Sequence, residues 1–122
     1  MINDRQELSY EQFVGLLRSA LHYLYDPVHL RRSPLVDLLG LAGEFDRAAA
    51  LQRTLVAAIR DLKPPDDESP QSRAWRIYDT LSLHYVRQLG REAVANQLGI
   101  SERQMRREQR LAIEALAQHL WH

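Results

Sequence analysis

Four arginines, Arg103, Arg106, Arg107 and Arg110, crowd one short stretch near the end of a 122-residue chain. A guanidinium presents a rigid fork of donors that matches phosphate oxygens and the major-groove edge of guanine, so the chemistry on offer is recognition of a polyanion and not bond making. Residues for bond making are not arranged for it. The histidines, His22, His29, His84, His119 and His122, lack ligand spacing, since only His119 and His122 stand three or four positions apart, at the C-terminus. There is no cysteine, which excludes disulfides, zinc-thiolate sites and thiol nucleophiles. No nucleophile–base set, phosphate loop or carboxylate pair stands out. The expectation is a non-enzyme with no catalytic residue, no metal and no cofactor.

The arginines need a scaffold, and the flanking residues describe one. In Gly90 to Trp121 a short helix, a glycine turn and a longer helix follow one another. Spacing buries Val94, Ala95 and Leu98, with Ala95 where two helices approach closely. Gly99 falls where the chain must turn left-handed, which a Cβ disfavours. Ile100 plugs the core from the turn, Ser101 is a good N-cap, and Gln104 three residues later completes a capping box. With Met105 at zero on a helical wheel, Ala112, Ile113, Leu116 and Leu120 fall between about −20° and +80°. Arg103, Arg107 and Arg110 fall between about 140° and 200°, with Arg106 near 100°. One face packs and the other is free to enter a groove, while the open N–H groups at the start of the helix suit a phosphate.

Upstream, the pattern is helical throughout and no two-residue alternation is sustained, so the chain reads as all-α. Ser9 with Gln12 fits a capping box for a helix over residues 10–25, on the spacing of Tyr10, Phe13, Val14, Leu17, Leu21 and Leu24. Asp26–Pro27 and Ser33–Pro34 announce short helices over 27–31 and 34–40. Phe45, Ala48, Ala49, Leu55, Ile59 and Leu62 mark a second long helix that Pro64 ends. KPPDDESPQS, residues 63–72, reads as a linker or exposed loop. Ser69 and Pro70 can start the next helix, with Trp75, Tyr78, Leu81, Tyr85 and Leu89 as its apolar stripe. Three segments result: a helical regulatory or dimerisation module over 1–62, the linker, and the helix-turn-helix module over 73–122, packed as one compact domain with a real core.

Net charge is zero, which alone argues against a nucleic-acid binder, but its distribution is uneven. Residues 1–71 carry 8 basic and 11 acidic side chains and residues 72–122 carry 8 and 5. The N-terminus lacks a basic segment followed by an apolar run, and no apolar stretch approaches a membrane span, so a cytoplasmic protein without a membrane partner is expected.

GREAVANQLGISERQMRREQRLAIEAL resembles the DNA-binding helix-turn-helix of bacterial sigma factors, the region 4 module that reads the −35 promoter element, and is similar also to response-regulator output domains. The resemblance spans residues 73–120 and is most telling at Glu92, Val94, Ala95, Leu98, Gly99, Ile100 and Ser101. It implies major-groove recognition of double-stranded DNA by Ser101, Arg103, Gln104, Arg106, Arg107 and Arg110. Arg91 and Gln97 would lie near the backbone, and Glu102 could accept from cytosine N4. It departs at Glu108 and Gln109, which interrupt the buried stripe and must pair with a polar group on the preceding helix, for instance Arg87, or change the roll of the second helix. Residues 1–62 show no polymerase-core-binding region, so the expectation is a transcriptional regulator, not a promoter-specifying sigma factor. A homodimer on paired half-sites would lend one reader helix useful affinity. The alternative is a helical interaction adaptor that binds an RNA polymerase subunit or a signalling partner.

Overall fold

Side-chain caps set where the helices of this chain begin. A computed structural model describes residues 8–121; the expectations that fall on residues 1–7 and on His122 lie outside them. Ser9 Oγ accepts from the Gln12 N–H and Gln12 answers on the Ser9 N–H, so the capping box forms and opens α1, Tyr10–His22. Asp26 caps α2, Pro27–Arg31, with Pro27 in its first turn. Next comes α3, Leu35–Leu38, with Pro34 at the cap position and Ser33 Oγ accepting from the Leu35 N–H. Asp46 caps α4, Arg47–Asp61. Ser72 caps α5, Arg73–Leu81, which runs on as one π-helical turn, Ser82–Val86. The last two helices are α6, Arg91–Leu98, and α7, Glu102–Leu120. Every element of the described residues is helix, turn or coil, and the fold is all-α.

Several boundaries differ from expectation, each for a local reason. The first helix stops at His22 because the chain turns at Tyr23, whose N–H bonds back to Ser19, and Asp26 then bonds to the Tyr23 carbonyl. The third helix is shorter than 34–40, since Gly40 takes a left-handed φ of 75° just after it. Phe45 does not join the apolar face of α4: Asp46 begins that helix one residue later and leaves the ring fully exposed. Phe45→Ser should therefore change unfolding free energy by no more than about 0.5 kcal/mol in urea titrations. Ser72, not Ser69, starts α5. The 63–72 segment is open coil and turns but has an anchor, because Pro64 is buried.

The apolar faces meet in one large core. Phe13, Leu17 and Leu21 of α1, Leu51, Leu55 and Ile59 of α4, Leu81 of α5, and Ile113 and Leu116 of α7 are buried together. Helices α2 and α3 pack on α4, and α5 lies along α7. Tyr10, at the start of α1, donates to the Glu114 carbonyl and meets Trp121 edge-on at 5.6 Å, so α1 begins beside the end of α7. The core does not stop at residues 63–72. A second, much smaller cluster of Val94, Ala95 and Met105, ringed by Leu83, Leu89, Leu98 and Ile100, fastens α6 to the start of α7. Among the described residues no helix is long and apolar enough to cross a membrane.

Candidate nucleic-acid interface

The link between α6 and α7 is built as its residues dictate. Gly99 ends α6 at φ 69°, ψ 35°, the left-handed conformation that a Cβ makes costly. Its N–H returns to Asn96, and the Ile100 N–H reaches the Ala95 carbonyl, so the turn is closed by backbone bonds while Ile100 packs on the small cluster. Ser101 Oγ then accepts from the Gln104 N–H at 3.1 Å and caps α7. The box is only half made: the Gln104 side chain does not bond back to Ser101 among the described residues, which leaves its amide at the surface. At the start of α6, Gly90 offers no side-chain cap, so among the described residues no cap side chain pairs the first N–H groups.

Helix α7 sorts its residues cleanly. Met105, Ala112, Ile113, Leu116 and Ala117 are buried, while Arg103, Arg106, Arg107 and Arg110 are exposed. The other residues the resemblance points to, Arg91, Gln97, Ser101, Glu102 and Gln104, are exposed as well. Among the described residues the ion pairs are Arg76–Glu108 and His119–Asp61, so none of the four α7 arginines is held by a carboxylate. Arg103, Arg106, Arg107 and Arg110 share the exposed side of α7, with Ser101, Glu102 and Gln104 exposed around its first turn; Gln97 lies on α6, and Arg91 is drawn instead toward α1, beside Tyr85.

What fixes the roll of α7 is the pair expected to trouble it. Glu108 and Gln109 are half-buried and turned onto the preceding segment. Glu108 pairs with Arg76 of α5 at 3.6 Å, and Gln109 Nε2 donates to the Tyr85 hydroxyl at 2.6 Å. Arg87 is not the partner. It closes the π-helical turn as its C-cap and is exposed, whereas Tyr85 inside that turn is buried against α7. The π turn itself closes with the Arg87 N–H on the Ser82 carbonyl, and His84 Nδ1 donates to the Leu89 carbonyl at 2.8 Å across the next bend. Gln88 in that bend holds a φ of 61°, a conformation seldom adopted outside glycine.

Burial pushes the Tyr85 hydroxyl above its ordinary pKa, with the Gln109 bond and the charges of Arg18 and Arg91 pulling the other way, so it remains a neutral donor at physiological pH. Asp79, next to Arg76 on α5, is likewise raised, mainly by burial and partly relieved by Arg76. Because the folded pKa lies above the unfolded one, its ionisation opposes folding once pH rises through the folded value. Asp79→Asn is thus expected to raise the melting temperature at pH 7, with the gain vanishing on acidification below the ordinary carboxylate range, as melting curves across that span would record.

The remaining candidates have structural partners. His29 stacks on Tyr23 at 4.0 Å and bonds to Ser19 Oγ, and His119 faces Asp61. Trp75 and Tyr78 meet edge-on at 5.8 Å on α5, half-buried. Among the described residues no group of three potential ligands stands close enough to hold a metal ion. No family model, curated protein or solved structure matches the chain.

Proposed function

We propose that this protein is a sequence-specific DNA-binding transcriptional regulator that reads the major groove with α7, entered from Ser101. The observation that carries the reading is the α7 surface: four exposed arginines, none held by a carboxylate among the described residues, on a helix whose other face is buried. The Arg76–Glu108 pair supports it by drawing one acidic side chain away from that surface. Arg103, Arg106, Arg107 and Arg110 with Gln104 supply base and phosphate donors, and Glu102 an acceptor. Ser101, whose oxygen caps the helix, keeps its hydroxyl hydrogen for a phosphate. Arg91 and Gln97 flank the backbone. Residues 73–122 act as the helix-turn-helix reader and residues 1–62 as a regulatory or dimerisation module, with a homodimer placing two readers on a symmetric site.

Titration of random duplex at low and at physiological salt tests this directly. Binding that weakens steeply with salt is expected; no binding at low salt ends the reading. Selection from a random DNA pool should then return a two-fold symmetric site. A second reading, contact with an RNA polymerase subunit or a signalling partner, is favoured by one observation, the fully exposed ring of Phe45. Phe45→Ser separates the two, since it should leave DNA binding intact and weaken only such a protein contact.

A further inference from the structure

Two adjoining hollows lie between the end of α1, the π-helical turn and the start of α6. Their volumes are about 410 Å³ and about 350 Å³, and they share His22, Tyr85, Arg91 and Gln109 as walls. Arg18 lines the smaller; Leu21, Leu24 and Leu89 give the larger an apolar side. Among the described residues no Asp or Glu lines either one. Arg18 and Arg91 have no carboxylate at ion-pair distance among the described residues, although they come from opposite ends of the sequence and converge on one tyrosine. That tyrosine is only 6% exposed. Its oxygen accepts from Gln109, but its hydroxyl hydrogen meets no acceptor among the described hydrogen bonds. Because Tyr85 lines both hollows, that hydroxyl can turn its hydrogen to a ligand oxygen there.

We propose that these hollows form a phosphate-binding site, in which Arg18 and Arg91 hold phosphate oxygens and the Tyr85 hydroxyl donates to another. Two guanidiniums on separate helices and a neutral hydroxyl that line one hollow suit a tetrahedral oxyanion, and no carboxylate among the described residues lines it to favour a cation. The volumes suit a small ligand. The phosphate has two sources: a small phosphomonoester, whose organic part would lie on Leu21, Leu24 and Leu89, or a backbone phosphate of a duplex. The site shares Arg91 with the proposed backbone contact but none of the α7 arginines, so it stands or falls separately from groove reading by that helix.

Amide NMR spectra of the full chain, titrated with inorganic phosphate and with AMP, test the site without DNA. Saturable shifts at Tyr85, Arg91 and Gln109 are expected, and Arg18→Ala or Arg91→Ala should weaken the response about tenfold or more. Both arginines are exposed and make no ion pair among the described residues, so the variants should melt as the parent does. Duplex binding by Arg18→Ala identifies the source. A weaker complex with a salt slope lowered by about 0.9 assigns the phosphate to DNA, and an unchanged one assigns it to the small molecule. The proposal is overturned if neither probe shifts those residues and Arg18→Ala binds duplex as the parent does. Shifts that persist in both variants overturn it too. Arg103→Ala with Arg107→Ala should leave the phosphate shifts untouched, so loss of groove reading is told apart from loss of this site.

Discussion

Arg103→Ala combined with Arg107→Ala is expected to abolish specific duplex binding while leaving the melting curve unchanged. The two side chains are exposed on α7 and make no ion pair among the described residues, so their removal should cost the fold little. On DNA the loss divides by the kind of contact. An arginine that reads guanine bidentately contributes about 1–3 kcal/mol of discrimination, and its removal relaxes preference at that base pair. One that meets a phosphate weakens all sequences alike and takes about 0.9 from the salt slope. Gel-shift or anisotropy titrations of the selected site and of a scrambled duplex, at three salt concentrations, separate the terms. Unaltered binding would remove α7 from the interface.

The second large effect is on stability. Leu116→Ala should destabilise the chain by about 2–5 kcal/mol and lower its melting temperature by roughly 8–20 °C. Leu116 has no exposed surface and sits in the cluster that joins α1, α4, α5 and α7. Since that cluster takes residues from both sides of the 63–72 segment, helicity and tryptophan fluorescence should fall in one coincident transition. The same continuity predicts that residues 73–122 alone do not fold, because Leu81, Ile113 and Leu116 would lose their walls from α1 and α4. Two separate melting steps would show instead that the halves are independent.

Much of this architecture was legible because caps are local chemistry. Ser9 with Gln12, Asp26 with Pro27, Gly99 and Ser101 act within a few residues of themselves, and each stands where sequence reasoning put it. The burial of Val94, Ala95 and Met105 followed from spacing for the same reason. The features that escaped depend on distance or on backbone register. Periodicity could not tell that α4 starts after Phe45, since an aromatic two residues before a helix fits the stripe as well as one inside it. The π-helical turn leaves no side-chain mark, yet it is Tyr85 inside that turn, not Arg87 at its end, that meets Gln109. Arg76 as partner of Glu108, and Arg18 beside Arg91, are neighbours only in three dimensions. No spacing rule connects them.

The unequal size of the two apolar clusters bears on how the molecule breathes. Most helices lean on a core of some twenty buried residues, whereas α6 is held to α7 by Val94, Ala95 and Met105 and a rim of half-covered neighbours. Opening such a unit exposes little apolar surface, so its amides should exchange with solvent through local excursions well below the energy of global unfolding. A groove or phosphate that grips both α6 and α7 would close that fluctuation, and the slowing of exchange along Arg91 to Leu98 would then report occupancy from the protein side alone.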